Sequence, residues 1–522
     1  MNFKTTTYSF LLFFAFLVNN INAQKQPNIV FIEVDDLTAK YVGAFGANSK
    51  IARTPNVDKL ANNGIVFDNA VVQGTMCGPS RNSLISGLYP HNLGFYQNGE
   101  LRALPYNTWA LPKALQEQGY HTEWIGKCHV KPNRKGAIGK TKVEQMNYAM
   151  RTQMGFDYVW ESVGRVVALK MGKKTLQQGK PWKYGQDAYG DYLYDNGLLK
   201  KFVDEGIAKK NTTLDGDTEY MDGFFSTKAI NRMASYKGDK PFFMWLNYSS
   251  PHGPFDVPQK WHDMFNPADM PGIIELNEDH FEVPEGFVLE HNVNKKYNTV
   301  SKIQKYRAQY AAIIAYMDDQ VGRIVSHIRS NPKLENTIIV FFSDHGLMTG
   351  DHGLLHKTNL YKEVLNPTLI VNYPNVFKPE RVKQPVELLD LCKTTIELAG
   401  ANEAQINAVP NGYSFAPLLT KQGTFKREGV VFSEIEGFRS AFDGTHKYIQ
   451  VDNSNAILFD HSKNIDETLD YEGTQDKTSK DLKEQVDAWI VQSGEIKAAG
   501  ALKVKKSGKK KNKKSKEKKN KH

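Results

Sequence analysis

Short apolar runs alternate with longer amphipathic stretches through most of this chain. Asn28-Ile-Val-Phe-Ile-Glu-Val34, Thr122-Glu-Trp-Ile125, Pro241-Phe-Phe-Met-Trp-Leu246 and Thr337-Ile-Ile-Val-Phe-Phe342 read as buried strands. Between them lie helical patterns, the clearest from Tyr310 to Val325. Strands separated by amphipathic helices predict an α/β domain with a large, mixed but mostly parallel sheet flanked by helices. In such sheets, sites form beyond the carboxyl ends of the strands. A helix is also expected from Ser80 to Gly87, with Pro79 in its first turn.

Past about Leu419 the pattern shortens. Arg427 to Phe459 alternates in brief segments, with Asp443-Gly444 as a hairpin turn before His446-Lys-Tyr-Ile449. Leu482, Val486, Trp489 and Ile490 then share one helical face. The expected organisation is a catalytic-size α/β domain over 24–420 and a smaller antiparallel sheet with a helix over 421–500. Trp182 to Tyr194 is aromatic without periodicity and reads as an inserted loop. Its tyrosines either pack that loop or stack on sugar rings, and packing is preferred.

The two ends change the picture of charge and location. Lys4 precedes the apolar run Phe10–Val18, which is too short to span a bilayer and ends near Ile21-Asn22-Ala23. Residues 1–23 therefore read as a cleaved signal peptide, and an exported, periplasmic or secreted protein without a membrane span is expected. The formal charge of +10 comes from residues 503 to 522, whose twelve Lys and one Glu contribute +11 and leave −1 for the rest. Residues 501–522 read as a disordered, solvated tail, with polyanion contact as the alternative. Export makes nucleic acid a poor partner and a sulfated or carboxylated glycan a better one. The 3 cysteines do not make a disulfide framework. Cys392 sits in an apolar helical pattern and reads as core; pairing with Cys128 is left open.

Several polar groups follow the predicted strands. Asp35-Asp36 follows the first. Adjacent carboxylates need a cation, basic partners or water. Ser343-Asp344-His345-Gly346 follows the last in the same manner. Asp35, Asp36 and Asp344 together would make an oxygen-rich metal site that suits calcium or magnesium better than zinc, and calcium tolerates irregular geometry best. Lys127 and His129 follow Ile125, His252 follows the run ending at Leu246, and Lys357 lies beyond the Asp-His pair. Each taken singly is a surface charge or a satisfied polar residue; together they line up at strand ends. Cys77-Gly78-Pro79-Ser80-Arg81 puts a thiol at a helix start, where backbone N–H groups and the Arg81 fork attract an anion. By itself this is either a nucleophile beside an oxyanion site or a buried cysteine at a turn.

The pentapeptide resembles the cysteine-type signature of the type I sulfatases of the alkaline phosphatase superfamily. The order Asp35-Asp36, Cys77 with Arg81, Lys127 with His129, His252, Asp344-His345 and Lys357 is similar to the full set of that family, over about residues 27 to 365. His345 departs from the commoner Asn, and a histidine can still supply a nitrogen ligand. The resemblance implies an alkaline-phosphatase-like fold and one Ca2+ held by Asp35, Asp36, Asp344, His345 and position 77. It also implies 3-oxoalanine (formylglycine) made from Cys77 by a maturation enzyme, its hydrated aldehyde being the nucleophile. Arg81 would hold the aldehyde and the carboxylates, and Asp344 would also act as a base. Lys127, Lys357 and His252 would bind sulfate, with His252 or Lys357 protonating the leaving alcohol, and His129 would take the last proton. The expected substrate is a sulfated polysaccharide or its oligosaccharides. Algal ulvan or carrageenan is favoured and glycosaminoglycan comes next, with phosphate or phosphonate ester hydrolysis and silent glycan binding as alternatives. Arg102, Arg165 and the Trp182 to Tyr194 stretch are candidates for specificity.

Overall fold

The first apolar run forms β1, Asn28–Asp35, and becomes the centre of an eight-stranded sheet. The other strands are β2 (Ile65–Phe67), β3 (His121–Lys127), β4 (Tyr158–Ser162), β5 (Phe242–Pro251), β6 (Thr337–Ser343), β7 (Leu369–Asn372) and β8 (Glu380–Val382). Their spatial order is β8-β2-β7-β6-β1-β5-β3-β4. Only β7 runs antiparallel to its neighbours, β2 and β6, so the sheet is mixed and mostly parallel as expected. The computed structural model describes residues 26–100, 102–208, 211–275, 299–450, 456–468 and 477–494. The expected signal segment 1–23 and the lysine-rich tail 501–522 lie outside the described residues.

Period-two alternation along β1 builds the two layers of core. Ile29 and Phe31 enter one apolar cluster with Leu84, Trp124 and Trp245, while Val30, Ile32 and Val34 enter the other with Tyr310 and Ile313. Phe31 meets Phe243, Trp245 and Phe342 edge-on with ring centroids 5.1, 5.4 and 5.4 Å away. Each such pair contributes about 0.5–1.5 kcal/mol beyond area burial. The helices that matter below are α1 (Cys77–Ser86), α2 (Arg165–Gln178), α3 (Met221–Ser235), α4 (Val300–Ser330), α5 (Leu391–Leu398) and α6 (Lys477–Ser493). The long α4 absorbs the whole Tyr310 to Val325 pattern and buries it against the second layer.

Register aligns the ends of four adjacent parallel strands, β6, β1, β5 and β3. Val34 is level with Ser343, Asp35 with Pro251, and Gly126 with Asn247. These strands outlast their apolar runs: β1 ends on Asp35, β3 on Lys127 and β5 on Pro251. Neighbouring ladders satisfy the polar backbone there, which residue type alone does not reveal. Gly126 permits the close approach at φ 106°, since a Cβ would collide with the Asn247 carbonyl.

Beyond this sheet, Val431–Ile435, Phe438–Phe442, His446–Gln450 and Ala456–Asp460 make a four-stranded antiparallel sheet in sequential order. Asp443-Gly444 forms its middle turn, with Asp443 Oδ1 accepting from the N–H groups of Thr445 and His446. Helix α6 buries Leu482, Val486 and Trp489, and Trp489 stacks on Phe432. One expectation needs amendment. The Trp182 to Tyr194 stretch is not simply a loop, because Ala188–Asp195 is a helix capped by Asp187 accepting from the Gly190 N–H. Its short length and crowded aromatics hide the helical period. Cys392 is buried in α5 beneath α1, and all three cysteines are free.

Candidate active site

Four strand ends and one helix start converge on Cys77. Pro79 sets the first turn of α1, Ser80 Oγ donates to the Asp344 carbonyl (2.7 Å), and every residue from Cys77 to Ser86 is buried. The thiol is fully enclosed. Lys357 Nζ lies 2.9 Å from Cys77 Sγ, His345 Nε2 3.3 Å, Asp36 Oδ1 3.8 Å and Lys127 Nζ 3.9 Å. Burial, then the charge of Asp35, push the Cys77 thiol well above its usual range, and Lys127 and Lys357 offset this only in part. A neutral thiol is a poor nucleophile, so the site does not activate Cys77 as a thiolate.

The acids come from β1 and from the turn after β6. Asp36 sits in the left-handed region at φ 68°, its N–H donating to Asp344 Oδ1 (3.1 Å) and its carbonyl accepting from Tyr310 Oη (2.5 Å). That strained turn holds the Asp36 and Asp344 carboxylates beside one another. Lys127 pairs with Asp35, and Lys357 with Asp36 at 2.6 Å. Burial opposes the charge on both acids, yet Lys127 holds Asp35 well below the usual carboxylate range and Lys357 lowers Asp36. Reciprocally, burial works against both ammonium groups, but Asp35 and Asp36 keep Lys127 and Lys357 charged.

Arg81 reaches under these groups. Its Nε donates to Asp344 Oδ2 (3.0 Å) and its Nη1 to Asn247 Oδ1 (2.9 Å); Nη1 is 3.1 Å from Glu33 Oε1 and Nη2 3.6 Å from Asp35 Oδ1. Glu33 and Asn247 were not singled out from sequence. Glu33 carried a signal, being the one charge inside an apolar strand; Asn247 carried only its place after Leu246. Burial pushes Glu33 up to about 7 although Arg81 pulls it down, and Trp245 Nε1 donates to it at 2.6 Å.

The histidines differ in setting. His345 Nδ1 meets the Gly346 carbonyl oxygen at 2.9 Å. A carbonyl only accepts, so Nδ1 carries a proton there, and Nε2 is the nitrogen that faces Cys77 and Asp36. His252 Nδ1 meets the Gly253 carbonyl at 2.7 Å, and Nε2 is 3.8 Å from Asp36 Oδ2. His252 is 31% exposed at its side chain, which opens it to the cleft above. Burial lowers its pKa in spite of Asp36. His129 lies two residues past Lys127; burial, then Lys127, hold it well below its usual range, so it is a neutral base. Its buried Nδ1 has no hydrogen-bond partner among the described residues. Arg165 is committed inside to Asp256 (2.8 Å) and Tyr220, and Arg102 is exposed in a loop.

The donor set fits a divalent cation. Ligand atoms of Asp36, Cys77 and His345, and of Asp35, Cys77 and Asp344, lie within 4.8 Å of one another. Buried Asp35 Oδ1 accepts no hydrogen bond among the described residues, and His345 Nε2 is oriented as a ligand. Three carboxylates and one imidazole suit a hard cation. Above lies a cleft of about 990 Å³ with Asp36, His252 and Lys357 at its floor and Lys173, Phe255, Lys305 and His356 in its walls.

The family model described as Sulfatase matches residues 27–401. A sulfatase of Formosa agariphila is 25% identical over 89% of this chain and 88% of its own length. An N-acetylglucosamine-6-O-sulfatase of Bacteroides thetaiotaomicron is 25% identical over 76% of this chain and 72% of its own. Among solved structures, a phosphonate monoester hydrolase of Agrobacterium radiobacter superposes with TM-score 0.70 at 19% identity, covering 90% of this chain and 95% of that one, which shows the shared fold. With a match over most of its length and a charged cluster around a helix-start cysteine, this chain belongs to the sulfatase family, hydrolases of sulfuric esters.

Proposed function

We propose that this protein is an exported enzyme that removes sulfate from a sulfated polysaccharide or its oligosaccharides. It would do so with formylglycine made from Cys77 and one calcium ion. The observation that carries the reading is the enclosure of Cys77, whose thiol is pushed by burial well above its usual range, by three carboxylates, two ammonium groups and an imidazole. Such a thiol is a poor nucleophile but a well-placed precursor. When formed, the hydrated aldehyde supplies a hydroxyl nucleophile with a second hydroxyl beside it. Asp35, Asp36, Asp344 and His345 would hold the cation, which when bound would supply Lewis-acid polarisation of a sulfate oxygen.

The chain's own residues divide the remaining work. Arg81 neutralises Asp344, Asp35 and Glu33 from below and holds them in register. Lys127 and Lys357 offer buried ammonium N–H groups to sulfate oxygens, which are worth more in an enclosed site than in water. His252 opens to the cleft where the alcohol departs, so its Nε2 is placed to give the leaving oxygen a proton when the ring is in its imidazolium form, with Lys357 as the other donor. His129, held neutral, takes a proton at position 77. Asp344 Oδ1 already orders the backbone N–H groups of Asp36 and His345, which fixes its orientation as metal ligand and base.

The cleft supports a saccharide substrate. Its volume of about 990 Å³ exceeds the need of a sulfate group, and Lys173, Lys305 and His356 suit further anionic substituents. The relative acting on N-acetylglucosamine 6-sulfate supports a sulfated sugar, without choosing between algal and animal glycans. The decisive experiment is the mass of the peptide containing residue 77, alongside sulfate release from defined sulfated oligosaccharides. An unmodified thiol in fully active enzyme would exclude formylglycine. Faster turnover of aryl phosphates or phosphonates than of any sulfate ester would move the assignment to that chemistry.

A further inference from the structure

Beside the active-site cleft, across α2, lies a second cavity of about 610 Å³. Helix α2 turns Val166, Leu169 and Lys173 toward the active-site cleft and Val167, Met171 and Lys174 toward the second cavity. The floor is formed by the carboxyl end of β4, through Glu161, and by Val163. Lys131 enters four residues beyond Lys127, so the cavity shares the strand-end edge of the sheet with the reacting centre.

Six cations line it: Lys131, Arg134, Lys142, Lys174, Lys180 and Lys183. None of the six side chains forms an ion pair among the described residues. Elsewhere at this edge the pattern is the opposite, with Lys127, Lys357, Arg81 and Arg165 each facing a carboxylate. Six like charges gathered around a cavity with one acid among them repel one another and raise the local concentration of anions. Between them lie apolar Met146, Val167, Met171 and Trp182. Trp182 stacks on Tyr194 with ring centroids 5.4 Å apart, and Tyr184 meets Tyr194 edge-on at 5.6 Å. Tyr184 and Tyr194 are 52% and 41% exposed, so the aromatic group continues onto the surface. The single acid in the cavity, Glu161, is buried; burial, then Asp187, push it up to about 8 against the pull of Arg134 and Lys131.

We propose that this cavity is a second saccharide site, taking a sugar unit that carries sulfate or carboxylate groups and holding it apart from the reacting centre. Cations spread over a cavity of this size, with an apolar and aromatic wall, match a ring bearing several anionic substituents better than a small inorganic anion. The site goes beyond the sulfatase reading and is tested by binding, so loss of that reading would leave it standing.

The test uses the full chain and compares two charge-matched triples, Lys131→Ala/Lys174→Ala/Lys183→Ala in the cavity and Lys509→Ala/Lys510→Ala/Lys511→Ala in the terminal lysine run. Affinity is measured for dextran sulfate, polygalacturonate and a single-stranded DNA oligomer at one salt concentration, because polyanion binding depends on salt. The cavity triple should bind dextran sulfate, polygalacturonate or both about tenfold more weakly, with 4-nitrophenyl sulfate turnover unchanged, while the terminal triple changes them by less than about threefold. Loss on dextran sulfate alone assigns sulfate as the ligand group, loss on polygalacturonate alone assigns carboxylate, and loss on both assigns either. Equal losses in the two triples, or DNA affinity falling as far as saccharide affinity in the cavity triple, would overturn the proposal. Should the cavity triple fold poorly, the exposed single change Lys183→Glu carries the same comparison.

Discussion

His345 Nε2 stands 3.3 Å from Cys77 Sγ while the opposite ring nitrogen is committed to the Gly346 carbonyl. A backbone acceptor thus decides which nitrogen faces the acids, and it leaves Nε2 placed as a candidate ligand. His345→Ala should therefore weaken calcium binding about 10–100-fold, whereas His345→Asn, which restores an oxygen donor, should recover much of it. Calcium-dependent shifts in melting temperature measure this without reference to turnover. Unchanged shifts in His345→Ala would remove the ring from the ligand set.

Position 77 separates precursor from thiol. Cys77→Ala and Cys77→Ser should each lower turnover by on the order of 10³-fold or more and leave the circular dichroism spectrum intact, since both fit a space made for a thiol. Full activity in both would sink the nucleophile assignment. Protein made without a maturation system should be folded, weakly active and unmodified at this residue by mass.

Leaving-group dependence distinguishes His252 from Lys357. Help from an acid matters most when the departing alkoxide is basic. His252→Ala should cost a sugar sulfate about 10²-fold or more in kcat but an aryl sulfate with a good leaving group much less. Lys357→Ala should depress both together. The same loss on both substrates in His252→Ala would contradict its place at the leaving oxygen.

Arg81 faces Glu33, Asp35 and Asp344 with its side chain fully enclosed. Arg81→Met leaves those acids without their shared partner and should destabilise the fold by about 3–5 kcal/mol, read by denaturant unfolding. Arg81→Lys cannot reproduce the planar fork and should recover only part of the loss. A melting curve unchanged in Arg81→Met would show that other cations neutralise the acids.

Acid stability should depend on a second buried charge cluster, around Glu467. Glu467 Oε1 meets Lys447 Nζ and His461 Nε2, each at 2.6 Å, and Glu467 Oε2 accepts from the Lys362 N–H. Burial opposes its charge, but Lys447 and His461 hold its pKa down at about 2. A carboxyl bound more weakly to its proton in the folded state stabilises that state above the unfolded pKa near 4.5. This contribution, roughly 3 kcal/mol at most, disappears as pH falls from about 4.5 toward 2. Burial also lowers Lys447, so the pair as a whole contributes less. Glu467→Gln should flatten the loss of stability over that window; an unchanged slope would assign acid sensitivity to other groups.

Much of the frame was legible from one dimension. Period-two alternation in Asn28 to Val34 and helical spacing from Tyr310 to Val325 reflect local geometry, which sequence records directly. The Cys77-Gly-Pro-Ser-Arg81 helix start was legible for the same reason, because Pro79 constrains its own backbone. The helix at Ala188–Asp195 was not, since aromatic packing between Trp182 and Tyr194 obscures its period. Glu33 and Asn247 were missed because burial of a polar side chain beneath Arg81 depends on what other strands bring.

By itself the sequence determined the order of strands and helices, the residue types at the strand ends and the cysteine-type signature, since these follow from local backbone preference and side-chain chemistry. Tertiary structure decided which ends meet. Parallel register sets Val34 beside Ser343 and Asp35 beside Pro251, and so helps gather Asp36, Cys77, His252, Asp344 and Lys357 from positions spread over 321 residues of sequence. It also decided protonation: enclosure keeps the Cys77 thiol neutral and the two lysines charged. Desolvation and charge pairing are sums over neighbours that chain order does not specify.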